Sequence, residues 1–161
     1  MTREKANEAL VNAMRKHGVT AISKATKLLV AAHRSRKPVS VAGVDLHKES
    51  EAYRVQDEVY AELWPGVRAT AWKAGGPSDK VEPTASPIAP ERVLRSPASI
   101  SAASMNMVGV EAEVAFRFAK DLPPRTRPYS ERSIAAAIGE VLVAIELCDT
   151  RLADWKETPG L

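Results

Sequence analysis

The sequence predicts an α+β protein: a helical first part followed by a sheet-forming second part. Three observations carry this expectation. Apolar residues recur at helical spacing as far as Leu63. Pro65-Gly66 then breaks the pattern. Beyond it apolar side chains alternate with a period of two, best over residues 107–119 and 141–148. Helices first and strands later argue against alternating βαβ units. The expected organisation is a helical region over 1–64 and a sheet-bearing region over 65–161, within one domain overall.

Each element has its own signals. Residues 3–17 read as a helix, with Thr2 as cap, Ala6, Leu10, Val11 and Met14 on one face, and Gly18 at the end. Thr20 caps a second helix to Arg34, with Ile22, Ala25, Leu29 and Ala32 as its apolar stripe. Pro38 and Gly43 mark a loop. Asp45 caps a third helix through Leu63, with Ala52, Val55, Val59 and Leu63 inward. Residues 67–73 alternate as a strand, and Ala74-Gly75-Gly76-Pro77-Ser78 turns the chain. Residues 77–98 contain five prolines and read as irregular coil, with short extended pieces near Ile88 and Val93-Leu94. Residues 107–119 are the clearest strand. Pro123, Pro124 and Pro128 form a loop, and Ser130 caps a short helix to Ile138, with Gly139 after it. Residues 141–148 read as a strand, with a continued helix as the alternative.

The 161 residues fit one domain with a real core. Apolar residues make up 45% and aromatics only 5%, so that core is built from small side chains. The N-terminal segment is a mixed-charge helix and not an apolar leader, and no apolar run is long enough to span a bilayer. The expected setting is cytoplasmic, with no membrane partner. Cys148 is the single cysteine, which excludes an internal disulfide. The net charge of +3 is unevenly spread, with Arg15, Lys16, Lys24, Lys27, Arg34, Arg36 and Lys37 crowding the first quarter. No aromatic residue interleaves with them, so they read as solvated helix faces and not as a nucleic-acid surface. Nothing matches a P-loop, a dinucleotide fingerprint or a zinc cluster.

The chemistry concentrates in Val110-Glu111-Ala112-Glu113-Val114-Ala115-Phe116. A strand alternates its side chains, so Glu111 and Glu113 share one face, while Val110, Ala112, Val114, Phe116 and Phe118 are expected to face a core. Neighbouring carboxylates repel, and a divalent cation would hold them together. Glu146 lies in an almost wholly apolar run, where an unpaired charge is costly. Three carboxylates from two strands can build an open oxygen site for Mg2+ or Mn2+. Asp149 and Arg151 are candidates to support those ligands from behind. Lys73, just before Gly75-Gly76, is either a surface lysine at a turn or a cation beside a substrate carboxylate. Tyr53 and Gln56 read as helix surface, and Cys148 as a core filler. His17, His33 and His47 show no ligand spacing.

Several of these pieces together form a known pattern. Ala52-Tyr53-Arg54-Val55-Gln56, Trp72-Lys73-Ala74-Gly75-Gly76, the Glu111-Ala112-Glu113 strand with Lys120-Asp121-Leu122, and Ala144-Ile145-Glu146-Leu147-Cys148-Asp149-Thr150-Arg151 with Asp154-Trp155 stand in order. From about residue 45 onward the chain resembles the 2-keto-4-pentenoate hydratase and 4-oxalocrotonate decarboxylase group of the fumarylacetoacetate hydrolase superfamily. The resemblance implies a mixed β-roll over 65–161. Glu111, Glu113 and Glu146 would be ligands of Mg2+ or Mn2+, and Lys73 would be the active-site lysine. Pro90-Glu91 matches a Pro-acid pair of some members but lacks the glycine expected after it, and Asp79 is a second nearby acid. Members continue beyond the segment ending here at Leu161, which implies a roll incomplete at its C-terminus.

The implied activity is a metal-dependent lyase of aromatic-compound catabolism. It would hydrate a 2-hydroxy-2,4-dienoate to a 4-hydroxy-2-oxo acid. Decarboxylation, fumarylpyruvate-type hydrolysis and a truncated non-catalytic subunit are the alternatives. Implied partners are the small 2-oxo or 2-hydroxydienoic acid and either a second copy of the chain or a related decarboxylase or hydratase subunit.

Overall fold

The computed structural model describes residues 21–40, 42, 44–78 and 80–157. The helix expected over 3–17 lies outside them. Within them the protein is α+β, with three helices and two small antiparallel sheets. The chain divides into two compact units. One comprises the described residues up to Asn106 together with those from Thr150 onward, and the other is Met107–Asp149.

In the first unit, helix α1 is described over 21–35 and helix α2 spans Glu49–Leu63. The apolar stripe of α1 buries as its spacing requires: Ile22, Ala25 and Ala32 are inaccessible, and Ile22 and Ala25 meet Val55 of α2. Leu29, Val44, Leu46 and Val59 close around this small core. Thr26 is buried beside it, its hydroxyl 2.9 Å from both the Ile22 carbonyl and a Glu58 carboxylate oxygen. Arg36, at φ 57°, ends α1 in the left-handed conformation that usually falls to glycine, and Pro38 follows two residues later.

The start of α2 corrects one expectation. Asp45 is not its cap. Lys48 holds the cap position, and the Glu51 carboxylate reaches back to accept the backbone N–H groups of His47 (2.8 Å) and Lys48 (3.2 Å). These bonds favour the ionised form and hold the Glu51 pKa below its ordinary value. At the other end the helix stops at Leu63 as expected, with Gly66 at φ 74° after Pro65.

Strands β1 (Ala71–Gly75) and β2 (Thr84–Ile88) form the sheet of this unit, with Lys73 opposite Ser86. The first strand therefore lies later than the expected 67–73, and β2 falls inside the segment read as irregular coil. What makes β2 a strand is tertiary. Ala85 donates its N–H to the Tyr53 hydroxyl (3.1 Å) and accepts from the Gln56 amide (3.2 Å), while the Ser86 hydroxyl donates to Gln56 (2.7 Å). Side chains of α2 thus satisfy backbone groups that β1 does not reach, and Pro87 is tolerated on this two-stranded edge. Val93-Leu94 is not a strand. It follows a short 3-10 turn, Pro90–Arg92. Near the C-terminus Val39 bridges to Leu152, with backbone bonds of 2.9 Å to Arg151 and 3.0 Å from Ala153.

The second unit is a long ribbon. Strand β3 (Gly109–Phe118) pairs antiparallel with β4 (Ile138–Cys148), from Gly109 opposite Cys148 to Phe118 opposite Ile138, with an irregularity at Arg117/Phe118. Strand, and not continued helix, is therefore the outcome for 141–148. Gly139 belongs to β4 and does not terminate the helix before it, which is shorter than expected: α3 covers Glu131–Ala135, capped by the Ser130 hydroxyl. An added Cβ at Gly139 would lie 2.8 Å from that of Ala119, so glycine is required there for close chain approach.

The apolar face of β3 does not enter a core. Val110, Val114, Phe116 and Phe118 remain half or more exposed, as do Val141, Val143 and Ile145 of β4. The expectation failed because burial needs a second layer, and the ribbon is a sheet of two strands.

Two outcomes follow. Val55→Ala should destabilise the chain by about 1–3 kcal/mol through the cavity it leaves, measured by denaturant unfolding. Because the folded pKa of Glu51 is depressed, its contribution is present above the unfolded value and is lost as pH falls through the folded one. Glu51→Gln should therefore lower the melting temperature near neutrality. The difference should shrink as pH falls through the folded pKa and disappear below it, where both forms carry a neutral side chain.

Candidate metal centre

The β3–β4 register decides which carboxylates meet. Glu111 stands directly opposite Glu146, and Gly109 opposite Cys148. Directly opposed side chains on one face of an antiparallel pair lie about 4.5–5.5 Å apart at Cβ. One ligand atom each from Glu111, Glu146 and Cys148 accordingly falls within 4.8 Å of the others. Glu146 and Cys148 are half-buried, Glu111 is exposed, and one Glu146 oxygen is shielded from solvent.

Two of the three expected ligands are thus brought together. Glu113 shares their face and is half-buried, but it stands opposite Ala144, one step along the ladder, and is outside this trio. Cys148 is the third group within this distance. Alternation put Cys148 on the face of Glu146, so a signal existed. What was missing was the cross-strand register that sets it diagonal to Glu111. A glycine makes the approach possible, since a Cβ on Gly109 would lie 2.9 Å from that of Cys148.

The ends of the ribbon are fixed by polar contacts. Asp149 accepts the Met107 backbone N–H at 2.8 Å, which pins the entry to β3 beside the exit from β4. Arg117 and Glu140 form an ion pair at the far end, on the same face as the carboxylates. Arg151, expected near the ligands, lies in the first unit and bonds to His33 (3.4 Å) and the Thr150 carbonyl (3.1 Å). Asp154 accepts from the Ser40 hydroxyl at 2.8 Å.

The expected catalytic residues belong to the first unit. Lys73 is half-buried in β1, and an added Cβ at Gly75 would sit 3.8 Å from its Cε, an ordinary contact. Glu91 is the middle residue of the Pro90–Arg92 turn, where it accepts the Trp64 indole N–H at 2.8 Å. Trp64 also stacks at a tilt on Tyr60 (5.1 Å between centroids) and lies under the Arg92 guanidinium. Asp79 is outside the described residues. A cleft of about 450 Å³ in this unit is lined by Tyr60, Trp64, Trp72 and Gln56 among others, and contains neither Lys73 nor Glu91.

No family model, curated protein or solved structure matches the chain. No helix among the described residues is long and apolar enough to cross a membrane.

The donor set distinguishes metals. Opposed carboxylates, with Glu113 one step away, suit a hard ion that keeps several waters. The thiol adds affinity only for softer ions. Mn2+ should therefore raise the melting temperature of the wild-type chain. Glu111→Gln or Glu146→Gln should remove that gain, whereas Cys148→Ser should leave it intact and weaken Zn2+ binding by about tenfold or more, read by calorimetric titration.

Proposed function

We propose that the chain is the metal-binding part of a divalent-metal-dependent hydratase that adds water to a 2-hydroxy-2,4-dienoate. The observation that carries this reading is the direct opposition of Glu111 and Glu146 on one face of the β3–β4 ribbon. It supports the resemblance to the 2-keto-4-pentenoate hydratase group, in which these positions are ligands, and with it a β-roll of the fumarylacetoacetate hydrolase type.

Glu111 and Glu146 would hold the ion, with Glu113 as the third carboxylate. When bound, Mg2+ or Mn2+ supplies Lewis acidity toward the substrate's C1 carboxylate and C2 oxygen. The protein's own groups do the rest. The carboxylate pair fixes the position and charge of the centre. The resemblance gives the Lys73 ammonium the role of pairing with the substrate carboxylate and with charge that develops on the C2 oxygen. Glu91 or Asp79 moves the proton that converts the hydroxydienoate to its unsaturated 2-oxo form, after which water adds at the far end of the conjugated system. The Glu91 carboxylate is oriented by the Trp64 indole N–H.

The test is loss of dienoate absorbance on addition of Mg2+ or Mn2+, with the product identified by mass. A hydrated product supports the reading, whereas release of CO2 or carbon–carbon cleavage assigns the decarboxylase or hydrolase branch. Glu111→Gln and Glu146→Gln should abolish turnover, as should EDTA. Lys73→Met should raise KM by about tenfold, the loss of one hydrogen bond to a charged group. Unchanged turnover in the glutamine variants rejects the scheme.

A further inference from the structure

We propose that His33 is a proton-operated latch: its neutral imidazole holds the C-terminal segment 150–153 beside α1, and protonation loosens that hold. The latch lies wholly within the first unit and does not depend on the hydratase reading.

Three parts of the chain meet at this imidazole. His33 is half-buried on α1. From the C-terminal segment, Arg151 donates its Nε–H to His33 Nδ1 at 3.4 Å. From the end of α2, the Trp64 ring meets the imidazole edge-on, with 6.3 Å between centroids. Trp64 is held in turn by its indole bond to Glu91 and by the Arg92 guanidinium over its ring.

Nδ1 can accept the Arg151 bond only while it carries no proton. The guanidinium stays charged throughout, so an imidazolium would lose its role as acceptor and set one cation against another. Imidazole is also the side chain whose ordinary titration falls between about pH 5 and 8. Carboxylates on the neighbouring elements are engaged elsewhere: Glu62 of α2 pairs with Arg34 of α1 at 3.5 Å, and Glu91 accepts from Trp64. Arg34, Arg36 and Lys37 near the end of α1, and Arg92 beside Trp64, add further positive charge.

The other contacts of the segment supply the readout. Val39 donates its N–H to the Arg151 carbonyl at 2.9 Å, and Ala153 donates its own to the Val39 carbonyl at 3.0 Å. The Ser40 hydroxyl reaches Asp154 at 2.8 Å. Two further titrating groups of this unit act with another sign or in another window. His47 pairs with Asp45 at 3.2 Å, so its protonation strengthens that contact. The Glu51 pKa lies below its ordinary value, so its helix cap is lost only at more acid pH.

Hydrogen exchange read by NMR on the whole chain tests the latch. Protection of the Val39 and Ala153 amides, taken relative to an unstructured peptide at the same pH, should fall about tenfold between about pH 7.5 and 5.5, as one hydrogen bond to a charged group is lost. The midpoint should coincide with the His33 titration followed through its ring protons. His33→Gln keeps an acceptor for Arg151 but has no proton to gain, so protection should stay high at both pH values. His33→Lys should be low at both. Protection that does not change with pH in the wild-type chain overturns the proposal, as does a midpoint that departs from the His33 titration. A fall that persists in His33→Gln also overturns it, because another group then carries the response. So does a parallel loss at Val55 in α2, which is acid unfolding of the whole unit. None of these readouts involves metal or turnover, so the latch can fail while the hydratase reading stands, and the reverse.

Discussion

The second unit depends on one register, the antiparallel ladder that sets Glu111 against Glu146. Side chains alternate along a strand, so a slip of one residue would exchange every inward and outward group. In the observed register the acidic groups of β3 and β4 gather on one face and the apolar groups on the other. Local features hold it there. Gly109 admits Cys148, Gly139 admits Ala119, Asp149 ties the entry of β3 to the exit of β4, and the Arg117–Glu140 pair closes the far end. Two like charges directly opposite each other cost a ribbon stability. Their retention in so specific a place is the physical reason to look for a cation between them.

The first unit is organised by α2, each face of which has a different task. Val55 and Val59 pack against α1. Tyr53 and Gln56 act in place of a third strand and supply the polar partners that let a proline-containing segment become β2. Glu51 closes the start of the helix on its own preceding backbone, and Trp64 at its end orients Glu91. The segment Ala52-Tyr53-Arg54-Val55-Gln56 therefore has a structural role that is complete without reference to a substrate.

The same alternation that concentrates carboxylates on one face of the ribbon leaves a hydrocarbon surface on the other.

Much of the architecture was legible in the residues themselves. The α+β class, the end of α2 at Pro65-Gly66, the Ser130 cap and the strand character of 107–119 and 141–148 follow from local spacing, capping and turn chemistry, which act over a few neighbouring residues. Local rules also put Glu111 and Glu113 on one face. They could not assign Asp45 or Lys48 as cap, because that depended on where the Glu51 carboxylate folds back. They missed β2, whose extended form rests on side chains some thirty residues away. They did not show that Cys148 comes within reach of Glu111, because cross-strand register is a relation between distant segments. Composition and period determined which residues share a face. Only the tertiary structure decided which faces meet, because pairing and burial are settled by contacts between parts of the chain that do not neighbour one another in sequence.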